Sequence, residues 1–189
     1  MLMQSLLFIL QMAADLLGGI FLLRLLMQWA RVPFRNPIGQ FVIAASDWAV
    51  LPMRKVVPGL LGLDMASLLL AWLVQAIYFM LVAALSGLGE FATPAAVGMV
   101  ALIALIETAR LFLYLIFGIV IITAIMSWVN PHAPMAPVLN ALARPFLAPF
   151  QRFIPPLGGV DLSPIVLIIV LQLLLSLLTG LRFSLFAAG

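Results

Sequence analysis

Long apolar runs, rather than alternating positions, dominate this chain. Four are long enough to cross a bilayer, for which about 20 mostly apolar residues suffice. They are Leu6 to Trp29, with Asp15 and Arg24 inside it; Met65 to Leu85, without a charge; Val100 to Trp128, charge-free from Leu111 onward; and Leu162 to Leu181, also charge-free. None shows the alternation of a barrel strand, and each is about twice the length such a strand needs. The pattern predicts an all-α membrane protein with four transmembrane helices.

Between the first two spans lies Arg31 to Leu63, and between the last two Asn130 to Asp161. Both are rich in Pro and too hydrophobic for ordinary loops. In the first, Gln40, Asp47 and Arg54 recur every seventh position and fall near one face of a helix, with Phe41, Val42, Ile43, Trp48, Val50 and Leu51 around them. In the second, Asn140, Arg144 and Gln151 form the polar stripe. Two readings stay open for each segment: a helix lying in the headgroup region, or a re-entrant hairpin that satisfies its backbone against protein or water. Pro52, Pro145 and Pro149 are expected to break or kink these helices.

The two halves repeat. Pro37, Pro52, Pro58, Gly62, Asp64 and Gln75 match Pro134, Pro149, Pro155, Gly159, Asp161 and Gln172 at one constant offset, and Trp29 matches Trp128. Each unit holds two spans, so both copies enter the bilayer the same way, as parallel repeats related by an axis along the membrane normal. The expected organisation is residues 1–86 for the first repeat, 87–99 for a connector and 100–189 for the second.

Composition sharpens this. The 189 residues are 66% hydrophobic and 8% charged, against about 45–50% and 25% in ordinary soluble domains. Mean hydropathy is +1.31. The net charge of +3 comes from nine thinly spread Lys and Arg, which argues against a nucleic-acid stripe. Cysteine is absent, removing thiol nucleophiles and Cys-ligated metals. The N-terminus lacks the positive region of a signal peptide, so the first run reads as a retained membrane helix.

Arg31, Arg35, Arg54 and Lys55 sit in the first long linker, Arg144 and Arg152 in the second, and none in the short connector. The bias places both linkers in the cytoplasm and both termini outside. Trp29, Trp48 and Trp128 suit an interfacial belt, and His132 reads as an interfacial polar residue.

Charges inside spans are the prime functional candidates in a bilayer. Asp15 is the deepest acid, and pairing with Arg110 would neutralise both. Glu107 and Arg110, three apart, suit a pair along one face, and Arg24 lies close enough to the span's end to snorkel. Asp47 and Arg144 occupy equivalent positions with opposite charge, so a pair across the pseudo-symmetry axis is a second expectation. Gly158, Gly159, Asp161, Ser163 and Pro164 form a helix-start motif, with Ser163 as N-cap and Pro164 as first helical residue, and Asp64 is the counterpart of Asp161. No catalytic triad, metal-ligand spacing, phosphate loop or paired carboxylates is evident, so neither enzyme activity nor a cofactor is expected.

These residues resemble the YggT family of small membrane proteins. That family's pattern has an Arg shortly before a Trp at the end of the first span, then Pro, an Arg-containing stretch, Pro-Pro, Gly-Gly and Asp-x-Ser-Pro. The first copy supplies Arg24, Trp29, Pro52, Arg54, Pro58, Gly62, Asp64 and Gln75. The second supplies Trp128, Pro131, Pro145, Pro149, Arg152, Pro155, Pro156, Gly158, Gly159, Asp161, Ser163, Pro164 and Gln172. Thr123 stands where the second copy would have its Arg, and Ser-Pro is missing after Asp64. The resemblance implies the two-unit form of Gram-negative bacteria, an inner-membrane location and a link to osmotic-shock tolerance and potassium homeostasis. Single-unit relatives resemble cell-division placement factors, and chloroplast relatives help assemble cytochrome b6f. A scaffold or assembly role is therefore the alternative expectation. The implied partners are the lipid bilayer and either a second copy of the chain or another membrane protein.

Overall fold

A computed structural model describes residues 1–60, 62–85, 93–130, 132–154 and 161–188. Its six helices are α1 (Leu2–Trp29), α2 (Pro37–Arg54), α3 (Met65–Leu85), α4 (Pro94–Val129), α5 (Ala136–Phe153) and α6 (Ser163–Ala188). Helices α1, α3, α4 and α6 are long and apolar enough to cross a membrane. Among the described residues the only β pairing is an isolated bridge between Leu60 and Leu63, in the turn where Gly62 takes the left-handed φ of +82°.

Local chemistry sets the ends. Thr93 accepts the Ala96 N–H at 3.3 Å, with Pro94 as the first helical residue. That cap starts α4 inside the stretch expected to be connector. Helix α1 stops at a Schellman turn. The Val32 N–H reaches the Met27 carbonyl at 2.9 Å, the Arg31 N–H reaches Gln28 at 3.1 Å, and Arg31 takes φ +54°. Val32 buries itself just after the turn. Helix α2 opens with Asn36 accepting the Gly39 N–H at 2.9 Å and Pro37 at the first position.

Each repeat is two spans with an amphipathic helix laid across them. Helix α2 packs on α1 and α3, and α5 packs on α4 and α6. Helix α4 also contacts α1 and α3, and so joins the repeats. The main apolar cluster draws Leu26 and Met27 from α1, Val42 from α2, Ile116 and Val120 from α4, Leu142 and Leu147 from α5 and Leu167 from α6. With lipid outside, this packing rests on close fit rather than on escape from water. Gly18 shows how tight the fit is: a Cβ there would lie 2.9 Å from Leu111 of α4 and 3.6 Å from Gln75 of α3.

The segments between the spans are single helices of 18 residues, not hairpins of two short arms. Expected breaks at Pro52, Pro145 and Pro149 do not occur, since helix runs through all three. Docking supplies the reason. Val42, Ser46 and Val50 of α2, and Leu139, Leu142, Ala143 and Leu147 of α5, are buried against the spans, which offsets the hydrogen bonds that proline removes. The outward faces differ. In α5 the exposed face carries Asn140, Arg144 and Gln151. In α2 it carries Phe41, Trp48 and Leu51 beside Gln40 and Arg54, so α2 exposes large apolar side chains as well as burying some.

Candidate functional site

The polar side chains gather at two depths. The first group lies where α1, α2 and α3 meet, at the end of the first repeat that carries the linker. Arg24 is its centre, with only 6% of its side chain exposed. A buried guanidinium requires counter-charge, and two carboxylates supply it. Arg24 Nη1 donates to Asp47 Oδ1 at 2.7 Å and to Ser46 Oγ at 2.6 Å, and its Nε stands 3.8 Å from Asp64 Oδ2. Asp64, at the start of α3 and 2% exposed, is gripped by Arg54: Nη2 to Oδ2 at 2.5 Å and Nε to Oδ1 at 3.2 Å. Arg54 also donates to Gln28 Oε1 at 3.0 Å, and the Ser67 hydroxyl donates to Asp64 Oδ2 at 2.7 Å. Two cations and two anions thus pin α2 to both spans of its repeat. Burial alone would raise the Asp64 pKa. The hydrogen bonds from Arg54 and Ser67, with the Arg54 charge, outweigh it and hold the carboxyl below its ordinary value. The same hydrogen bond, partly opposed by burial, raises Arg54.

Asp47 therefore turns from the outward stripe expected of it toward Arg24, and Arg54 reaches back to Asp64 while staying partly exposed, as Gln40 does. The expected Asp47–Arg144 pair does not form, because Arg24 has taken Asp47 while Arg144 is exposed on α5.

The second repeat keeps the layout and loses the charge. Thr123 stands in place of Arg24 and returns its hydroxyl to the Ile119 carbonyl at 2.7 Å. Gln151 stands in place of Arg54 and donates to Asp161 Oδ2 at 2.8 Å. Asp161 Oδ1 accepts the Ser163 N–H at 2.9 Å. Burial pushes the Asp161 pKa up, and the bonds from Ser163 and Gln151 bring it net below the ordinary value. Asp161 is thus the cap of α6. The Ser163 hydroxyl expected there is buried with no hydrogen-bond partner among the described residues, and Pro164 follows within the first turn. Gly158 and Gly159 lie outside the described residues.

The second group lies toward the other end of the spans. Gln75 donates to Asp15 Oδ1 at 3.0 Å. Arg110 donates to Glu107 at 2.6 Å, and Arg182 of α6 pairs with the same carboxylate. The expected Asp15–Arg110 pair does not form, since Glu107 is one turn away on the same helix and closer at hand. The Arg182 guanidinium sits 5.5 Å from the Phe79 ring centroid.

The Arg24 network escaped reading from single residues, yet the internal repeat carried a signal for it. Arg24, Asp47 and Arg54 are all replaced, by Thr123, Arg144 and Gln151, while Asp64 is kept as Asp161. Three ionic positions that change together between two copies of one unit point to a shared contact.

The family model described as CCB3/YggT matches the chain twice, over residues 3–85 and 102–182. The chain belongs to the CCB3/YggT family. It is 36% identical to an uncharacterised protein of Pseudomonas aeruginosa over 88% of this chain and 84% of that one. It is 35% identical to the uncharacterised protein YggT of Escherichia coli K12, over 91% of this chain and 88% of that one. A chloroplast protein of Arabidopsis thaliana, YlmG homolog protein 2, is 44% identical over 63 residues, covering 32% of this chain and 25% of that one. No solved structure matches the chain. The two family matches coincide with the two helical units, so the CCB3/YggT unit is span, amphipathic helix, span.

Proposed function

We propose that this CCB3/YggT protein is a non-enzymatic adaptor of the bacterial inner membrane, acting through a second copy or another membrane protein rather than as a path for solute. The observation that carries the reading is the placement of its polar groups. They form two internally paired clusters, one centred on Arg24 and one on Glu107, and packed apolar side chains such as Phe21, Leu22 and Leu111 lie between them. A conducting path needs polar groups along its length. The face left uncovered suits contact instead: α2 offers Phe41, Trp48 and Leu51, on a helix braced by ion pairs from behind. The Lys and Arg bias of the linkers puts that face in the cytoplasmic half of the membrane, with both termini periplasmic.

Where the family resemblance points to osmotic tolerance and potassium homeostasis, the contribution of this chain would run through such a partner. Flux measurements on the pure protein in liposomes test the reading. No potassium or osmolyte flux above empty vesicles is expected, and selective flux would overturn it. Affinity capture in mild detergent, with Trp48→Ala and Phe41→Ala as controls, should recover a partner that the variants lose.

A further inference from the structure

We propose that the cleft between the two repeats is a binding site for one anionic phospholipid, with an acyl chain in the cleft and the phosphate at the C-terminal end of α2. The cleft has two adjoining parts, of about 460 Å³ and 540 Å³, that share Leu68, Leu105 and Thr108 as walls. Each falls within the ~300–1,000 Å³ of ligand-sized sites. Leu22 and Leu25 of α1 line one part, together with Ala109 and Phe112 of α4.

The chemistry of the lining selects hydrocarbon. Inside the cleft, the polar side chains Thr108 and Trp72 are satisfied by the protein itself, and Trp29 stands at the mouth. The Thr108 hydroxyl donates to the Ala104 carbonyl at 2.8 Å, and Trp72 Nε1 donates to the Ala101 carbonyl at 3.1 Å. The cleft therefore presents apolar surface alone, and a polar solute entering it would lose its hydration without finding partners.

Charge at the mouth selects the headgroup. Trp29 lines one part of the cleft, Val57 and Met65 the other. Gln28, next to Trp29, holds Arg54, and Lys55 caps α2 two residues before Val57. In the Arg24 network two arginines balance two aspartates. Lys55, two residues from Val57, and Arg31, two residues beyond Trp29, are both exposed, pair with no carboxylate among the described residues, and are surplus positive charges at this end of the cleft. A cation at headgroup height favours an anionic lipid by about fivefold.

The test uses the full chain, delipidated in detergent. Palmitoyl-oleoyl phosphatidylglycerol and the matching phosphatidylcholine are titrated in and read by native mass spectrometry. One phosphatidylglycerol per chain should bind, about fivefold tighter than phosphatidylcholine. Ala109 is an exposed wall residue, so Ala109→Trp fills the cleft without entering the core. It should abolish binding while melting like the parent. Leu105→Trp, also at an exposed position, replaces it if Ala109→Trp melts lower. Lys55→Gln with Arg31→Gln should keep the lipid and lose the headgroup preference. Unchanged binding in the filled variants, or equal affinity for both lipids in the parent, would overturn the proposal. So would a parent that binds no lipid but dimerises, with the filled variants monomeric, since the occupant would then be a helix of a second copy.

Discussion

Asp64→Asn is the most informative single change. Asparagine keeps the shape and caps a helix as well as aspartate, so α3 keeps its start. What disappears is the charge shared by Arg24 and Arg54, the first with 6% of its side chain exposed. Breaking a buried pair costs about 3–5 kcal/mol. Arg54, 39% exposed, can turn toward water, which places the expected loss near the lower bound, about 3 kcal/mol. Arg54→Gln leaves Asp64 with the Ser67 hydroxyl and Arg24 at 3.8 Å, for a loss of about 2 kcal/mol. Arg54→Gln alone copies the Gln151–Asp161 side of the second repeat. The double variant puts an amide at both positions and keeps Arg24 paired with Asp47. It should lose about 3 kcal/mol in all, a coupling of about 2 kcal/mol. Unfolding by sodium dodecyl sulfate in mixed micelles, followed by tryptophan fluorescence, measures all four corners. Losses that add to within about 0.5 kcal/mol would refute the idea that these side chains act as one clamp.

Other consequences are equally direct. Asp64 has its carboxyl held below the ordinary value, so its stabilisation is complete above about pH 4 and is lost as the pH falls through the folded-state value. Acid titration of the unfolding midpoint should show this limb flattened in Asp64→Asn. A Cβ on Gly39 would stand 2.6 Å from the Phe34 Cα and 2.7 Å from its carbonyl oxygen. Gly39→Ala should therefore cost at least about 1–3 kcal/mol by micelle unfolding, and a neutral result would mean the two backbones are not in contact. In double-mutant cycles Asp15 should couple to Gln75, and Arg110 to Glu107, by about 0.5–3 kcal/mol, with no coupling between Asp15 and Arg110. Arg144→Ala should change stability by less than about 0.5 kcal/mol, because the side chain is exposed on α5.

The two repeats share one framework and differ in how it is fastened. In the first, an arginine inside a span binds α2 through Asp47 and the start of the next span through Asp64. In the second, Thr123 closes on its own helix, and only the neutral Gln151 reaches Asp161. Helix α5 is held instead by its apolar face, and Phe146 packs against Trp29 of the first repeat with ring centroids 5.6 Å apart. The first repeat is thus clamped within itself, whereas the second leans on its neighbour.

Sequence alone determined the spans, the repeat and an amphipathic segment between each pair of spans, and it left open whether that segment is one helix or a hairpin. Those depend on length, hydropathy and the placement of Pro, Gly and Asp, which act locally: twenty apolar residues need lipid whatever else the chain does, and Pro at a first helical position loses no hydrogen bond. The choice of partner for each charge was left to the tertiary structure. Asp15, Arg24, Asp47, Arg110 and Arg144 each had several oppositely charged candidates along the chain. Which were within reach depended on the crossing of α1, α3 and α4 and on the face by which α2 docks. A buried guanidinium takes the nearest carboxylates that geometry offers, and in this chain those come from two elements remote in sequence from Arg24.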